Sequence, residues 1–200
     1  LSVRIGKALQ RIRDENLAVY LVIGYPERAG DKLFNSLTII NHGKQVANYR
    51  KQNLPNYQVF DEQRYFNRGA DVCLLEIAGQ KVAFTICEDM WEPEPVLQAR
   101  AAGAHLMINI NASPYHVNKL NERQTLLRKR SVEGGFPIIY VNMVGGQDEL
   151  VFDGGSMVVT ATGECHVLAP SYVEILVPVL VQAGESSESP CEIPMQQIAA

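Results

Sequence analysis

The 200-residue chain is predicted to fold as an α/β sandwich, with helices layered over mixed sheets. Three observations carry that expectation. Five of the six residues 82–87 are apolar and the sixth is the β-branched Thr85, the composition of a strand buried on both faces of a sheet. Helix-like segments at residues 2–14, 95–102 and 118–132 alternate with short apolar runs. Turn signals at Asn41-His-Gly43 and Gly79 mark β-hairpins.

In order, residues 2–14 place Val3, Ile5, Ala8, Leu9 and Ile12 on one helical face, with Arg and Lys opposite. Residues 17–23 read as a buried strand, ended by the turn Gly24-Tyr-Pro-Glu-Arg-Ala-Gly30. Residues 33–41 and 45–49 form a hairpin about His42. Residues 52–66 are an irregular, aromatic-rich loop, longer than a simple connection needs. Residues 72–77 and 82–87 pair about Gly79. A helix over 95–102 stops at Gly103, and a strand over 105–110 leads to Asn111-Ala-Ser-Pro-Tyr-His116. A long Arg- and Lys-rich helix over 118–132 ends at Gly134-Gly135. A strand over 137–144, a turn over 145–149 and a meander of strands at 150–152, 156–160, 165–168 and 173–177 complete the reading. Residues 1–181 therefore make one domain, and the Ser-, Glu- and Pro-rich stretch from 182 to 200 is a linker or flexible tail.

The composition is that of an ordinary globular domain, with 46% hydrophobic and 20% charged residues, large enough to bury roughly 70% of its unfolded surface. Its net charge of −4 points away from nucleic acid and anionic membrane surfaces. The apolar runs are too short to span a bilayer, no signal peptide is visible, and a cytoplasmic, reduced protein is expected. Cys73, Cys87, Cys165 and Cys191 form no C-x-x-C pair and have no zinc-like spacing with the four histidines, so no metal is expected. The chain starts within a helical pattern and without Met, which suggests a fragment.

The stretch Lys81-Val-Ala-Phe-Thr-Ile-Cys-Glu-Asp-Met-Trp91 organises the rest. The strand pattern stops at Cys87, and Glu88, Asp89 and Glu92 occupy what reads as the first turn of a helix, where acidic residues are favoured. A cysteine on a sharp strand-to-helix turn has the geometry of a nucleophile elbow. The plain alternative is a buried thiol of no function. Glu88 and Asp89 beside the sulfur would also raise its pKa unless they point elsewhere. Lys51 closes a strand upstream. A lysine near a thiol favours thiolate and stabilises an oxyanion, although strand-end lysines are mostly solvated.

The wording of four segments is more specific. Lys51-Gln-Asn-Leu-Pro-Asn-Tyr-Gln-Val-Phe-Asp-Glu-Gln-Arg-Tyr-Phe66, Ile86-Cys-Glu-Asp-Met-Trp91, Asn111-Ala-Ser-Pro-Tyr115 and Val144-Gly-Gly-Gln-Asp-Glu-Leu-Val-Phe-Asp-Gly154 occur in the order found in glutamine-dependent NAD synthetases. Over about residues 1–180 the chain resembles their amidase domain, a branch of the nitrilase (carbon–nitrogen hydrolase) superfamily. The resemblance implies an α-β-β-α sandwich and glutamine hydrolysis by a Glu-Lys-Cys triad. Cys87 would be the nucleophile, forming a γ-glutamyl thioester and releasing ammonia. Lys51 and the backbone N–H of Glu88 would hold the oxyanion. Tyr57, Glu62 and Ser113 match positions that line the glutamine site, with Glu62 also orienting Lys51. Trp91 reads as pocket wall or helix packing, and Phe60 and Phe66 as core.

The resemblance is incomplete in two places. The triad's glutamate has no match in residues 1–200, and Glu15 reads as a solvent-exposed turn residue. The phosphate-binding loop of the family's synthetase domain is also missing, since Asp153-Gly-Gly-Ser156 reads as a turn between strands. ATP, Mg and the amidation of deamido-NAD are therefore expected of a synthetase domain of the same polypeptide, and this domain needs no cofactor of its own. Glutamine and that domain are the expected partners, with homo-oligomerisation implied by the superfamily. Two other readings stand beside this one: a stand-alone nitrilase-type amidase or carbamoylase, and a catalytically dead docking module.

Overall fold

A computed structural model describes residues 2–57, 59–167, 169–184 and 189–193. The chain divides into two compact units, residues 1–73 and 74–200.

The first unit opens with helix α1 (Ser2–Asp14), whose Ile5, Leu9 and Ile12 are half-buried while Val3 stays exposed. Three antiparallel strands follow in spatial order β1 (Leu21–Ala29), β2 (Lys32–Asn41) and β3 (Lys44–Arg50). Strand β1 corrects the expected turn at residues 24–30. Residues 24–29 continue the strand, Pro26 pairing opposite Asn35, only Gly30 lies in a turn, and the strand begins at Leu21 rather than 17. Proline is tolerated because β1 lies at the edge of this sheet, where a missing N–H breaks no interior ladder. Both hairpin residues His42 and Gly43 have positive φ, as a two-residue turn matched to strand twist requires. A side chain at position 43 would meet the Arg13 carbonyl oxygen at 2.6 Å, so glycine is also a spatial necessity there.

On this sheet Glu27 accepts hydrogen bonds from Ser36 Oγ (2.8 Å), Asn48 Nδ2 (2.9 Å) and Arg50 Nε (2.9 Å), and Arg50 also lies over the Phe34 ring. The Arg50 bonds hold the Glu27 carboxyl down to about 2, against an ordinary value of 4.5. A depressed folded pKa contributes stability above the unfolded value and loses it as pH falls through the folded one. Glu27→Gln is therefore expected to flatten the acid limb of a urea stability curve between about pH 4.5 and about pH 2, where the wild-type chain loses stability progressively. Parallel curves for the two proteins over that interval would refute this.

The second unit is built on a six-stranded mixed sheet in the order β11-β10-β7-β6-β5-β4. Its strands are β4 (Cys73–Ile77), β5 (Gln80–Ile86), β6 (Leu106–Asn111), β7 (Ile138–Asn142), β10 (Met157–Val159) and β11 (Cys165–Val167). Strands β5, β6 and β7 run parallel, and β10 is antiparallel to both β7 and β11. Helices α3 (Glu94–Ala101) and α4 (Lys119–Gly134) supply Val96, Ala99 and Leu127 to a core shared with Ala83, Met90, Met107, Phe136, Ile138, Met157 and Val159. Strand β5 is buried on both faces from Val82 to Ile86, as its almost wholly apolar run requires.

The later strands depart from the expected meander. Residues 144–147 are strand β8 (Val144–Gln147), and only Asp148 and Glu149 form the turn into β9 (Leu150–Asp153). Among the described residues these two strands pair only with each other, and the strand expected over 137–144 breaks at Met143. Glycines 145 and 146 suggested a turn, but the open geometry of a two-stranded ribbon accepts them. Position 168, read as a strand end, lies outside the described residues. Residues 173–177 are not a strand: their composition suits one, but among the described residues no backbone hydrogen bond pairs them. Within the stretch read as a tail, Gln182 and Glu192 exchange two backbone hydrogen bonds of 2.9 Å, and the Cys191 N–H donates to His105 O. Residues 185–188 and 194–200 lie outside the described residues. No helix among the described residues is long and apolar enough to cross a membrane.

Candidate active site

Strand β5 ends at Ile86, and the chain turns at once into a single 3-10 turn, Cys87–Met90, instead of the expected α-helix. Cys87, half-buried, has φ of +45°. A non-glycine residue there is strained by roughly 1–3 kcal/mol and persists only where its surroundings fix it. Asp89 supplies part of that fixing. Its carboxylate, fully buried, accepts the Ile86 N–H at 3.0 Å. It is thus directed back toward the strand end as a cap. Glu92 lies past the turn and is exposed.

Because β5, β6 and β7 are parallel and in register (Ile86 beside Ile110, Asn111 beside Asn142), their C-terminal ends bring three segments to one sheet edge. These are the Cys87 turn, the 111–116 loop and the residues after Asn142, the edge where open α/β sheets hold ligands. A polar ladder crosses it: Asn109 Nδ2 donates to Thr85 Oγ1 (2.9 Å), and Asn111 Nδ2 to Asn109 Oδ1 (2.7 Å).

Ser113 is buried here rather than a plain turn residue. Its N–H donates to Asn142 Oδ1 (2.9 Å), while Arg123 of α4 donates to its Oγ (3.2 Å) and carbonyl (2.8 Å). Arg123, 1% exposed, also pairs with Asp153 at 2.8 and 3.1 Å. Beside this network the Tyr140 phenol is pushed well up by burial, with the Cys87 sulfur adding in the same direction, so it is a hydrogen-bonding group that stays neutral. Trp91 carries the Lys119 ammonium over its ring at 4.0 Å.

In the first unit, Lys51 is 1% exposed, the opposite of a solvated strand-end lysine. Its ammonium meets Glu62 Oε1 at 2.7 Å, and Asn35 Nδ2 donates to Glu62 Oε2 at 3.3 Å. The loop that carries them is pinned: Gln63 Nε2 donates to Leu54 O, Glu62 N–H to Pro55 O, and Gly69 N–H to Lys51 O. A Cβ at Gly69 would sit 2.0 Å from Arg50 O, so only glycine permits that last approach. The loop also contains one helical turn, α2 (Glu62–Tyr65), that aperiodic sequence did not suggest. Tyr57 is half-exposed, edge-on to Phe60 at 5.9 Å. The structure thus brings Lys51 and Glu62 together in one unit, and gathers Cys87, Glu88 and Ser113 at one sheet edge of the other. No cluster of His, Cys, Asp or Glu among the described residues could hold a metal ion.

Sequence reasoning did not single out Arg123, Arg130, Asn142, Tyr140 or the capping role of Asp89. A signal existed for the arginines. Leu120, Arg123, Leu127 and Arg130 recur at helical spacing, so two arginines share the face that carries the buried leucine.

The carbon–nitrogen hydrolase family profile matches residues 7–185. The chain belongs to that family. It is 43% identical over 172 residues to a glutamine-dependent NAD(+) synthetase of Aquifex aeolicus, covering 86% of this chain and 30% of that one. With the corresponding protein of Xanthomonas campestris it shares 42% identity over 186 residues, 92% of this chain and 34% of the relative. The chain thus spans about a third of the length of these relatives. Among solved structures, a glutamine-dependent NAD+ synthetase of Acinetobacter baumannii in complex with ADP superposes with a TM-score of 0.84 at 36% identity, covering 88% of this chain and 33% of that one. An amidase of Nesterenkonia from the nitrilase superfamily gives 0.71 at 28% identity, over 80% and 61%, and in that structure the acetamide moiety of fluoroacetamide is covalently added at the active-site cysteine. The architecture is therefore the nitrilase-superfamily fold, with mixed sheets and helices, as expected.

Proposed function

We propose that this carbon–nitrogen hydrolase domain hydrolyses the side-chain amide of glutamine, with Cys87 as nucleophile. The Cys87 sulfur attacks the amide carbon; the C–N bond breaks, ammonia leaves with the proton taken from the thiol, and a γ-glutamyl thioester remains. Water then attacks the same carbon, the C–S bond breaks, and glutamate and the thiol are regenerated. A sulfur nucleophile divides one difficult amide hydrolysis into two easier steps. Lys51 supplies positive charge for the oxyanion, with Glu62 orienting it and the Glu88 N–H as second donor. Tyr57 and Ser113 contact the substrate. Ammonia is passed to a synthetase domain of the same polypeptide, where ATP and Mg support amidation of deamido-NAD.

The observation that carries this reading is Cys87 itself, held at φ +45° where a buried parallel strand breaks into a turn, in a member of this family. Relatives above 40% identity that are glutamine-dependent NAD(+) synthetases support the choice of glutamine. The likeness to the Nesterenkonia amidase favours a second reading, hydrolysis of another small amide, which a substrate panel separates.

The test is intact-mass analysis after exposure to a glutamine-like electrophile such as a diazoketone analogue, with circular dichroism confirming a folded chain. One adduct is expected, on Cys87 and suppressed by excess glutamine. An adduct suppressed by another amide but not by glutamine would transfer the assignment to the second reading. Labelling spread over all four cysteines without protection would overturn both.

A further inference from the structure

We infer that Arg130 is a positioning residue that clamps the turn presenting Cys87; the inference rests on the reading of Cys87 as nucleophile. The turn Cys87–Met90 is too short to satisfy its own terminal carbonyls, which a helix end leaves without partners. Arg130, on α4, reaches two of them: Nε donates to Met90 O at 2.7 Å and Nη2 to Trp91 O at 2.6 Å. Its third nitrogen, Nη1, donates to Glu133 Oε2 at 2.6 Å, which compensates the charge of a side chain only 4% exposed and sets the plane of the guanidinium.

The turn is therefore held at both ends. Asp89 ties its start to the Ile86 N–H, and Arg130 ties its finish to a 16-residue helix packed in the core. Between those ties lies the one residue with a left-handed backbone, Cys87. Without the second tie the turn can unwind and let Cys87 relax to negative φ, carrying its sulfur and the Glu88 N–H out of place. The geometry calls for arginine, because a lysine ammonium on a flexible stem cannot hold two successive carbonyls in one plane. Arg128, two residues earlier on the same helix, makes an equivalent bond to Gly163 O (2.9 Å), remote in sequence from the turn, and serves as a matched comparison.

The experiment measures the second-order rate of alkylation by iodoacetamide at each cysteine, resolved by peptide mass spectrometry, for the wild-type chain, Arg130→Met, Arg130→Lys and Arg128→Met. In the wild type Cys87 is expected to react faster than Cys165, whose thiol burial pushes up. Arg130→Met is expected to slow Cys87 by about tenfold, the scale of a small displacement of a reacting atom, with Arg130→Lys between the two. Arg128→Met is expected to match the wild type at Cys87. Where glutamine turnover is measured, kcat should fall in Arg130→Met with KM near the wild-type value, since Arg130 bonds to protein carbonyls. Equal Cys87 rates in Arg130→Met and wild type, or equal slowing in Arg128→Met, would overturn the clamp. If Arg130→Met does not fold, Arg130→Lys decides, and wild-type reactivity in that variant overturns it. A wild-type Cys87 no faster than Cys165 would instead sink the nucleophile assignment itself.

Discussion

Cys87→Ala is expected to abolish both covalent labelling and ammonia release, with a fall in kcat on the order of 10⁶-fold, the scale set by deleting other covalent nucleophiles. The fold should survive, because the side chain is small and half-buried and its neighbours are tied by backbone bonds that alanine leaves in place. Cys87→Gly separates strain from chemistry. Glycine adopts φ of +45° without cost, so this variant should be equally inactive yet more stable than Cys87→Ala by about 1 kcal/mol in urea unfolding. A gain in stability from alanine to glycine at one position is what a strained backbone produces. Undiminished ammonia release from Cys87→Ala would assign the chemistry to another group, and a glycine variant less stable than the alanine one would mean that the elbow is not strained.

Asp153→Ala is expected to cost about 3–5 kcal/mol of unfolding free energy, the largest stability effect of any single polar change proposed for this chain. Arg123 and Asp153 are almost fully buried, and removing the carboxylate leaves the guanidinium uncompensated in a low-dielectric interior. The double variant Arg123→Met, Asp153→Ala should recover part of the loss, because no charge is then stranded. That recovery, read from a double-mutant cycle in urea, distinguishes a stranded charge from a mere cavity. The consequence extends to the candidate site. Arg123 also holds the carbonyls of Ser113 and Pro114, so losing its counter-ion should loosen the 111–116 loop and weaken protection of Cys87 by glutamine. A cost below about 1 kcal/mol would show that water reaches the pair and screens it.

The sequence by itself determined the elements whose signal is local. Alternating or continuous apolar runs located β2, β3, β4, β5, β6, β7, β9, β10 and β11, and helical spacing located α1, α3 and α4. The turns at Asn41-His-Gly43 and Gly79 were legible because glycine adopts positive φ at no steric cost. Cys87 stood out because an apolar strand ends there and acidic residues follow. The similarity of four motifs, in order, gave the family.

Only the tertiary structure decided the rest, because it depends on partners remote in sequence. Gly24 and Pro26 read as a turn, yet pairing with Leu37 and Asn35 respectively makes them part of an edge strand. Residues 173–177 have a strand's composition and no strand beside them among the described residues, since pairing is a property of two segments. Strand-end lysines are mostly solvated, and only the fold shows Lys51 buried against the Glu62 carboxylate. The sequence marked α4 only as a helix rich in Arg and Lys. Burial turned Arg123 into the counter-ion of Asp153 and Arg130 into a donor to the Cys87 turn, because an arginine can enter a core only where acceptors from other segments meet all sides of its guanidinium.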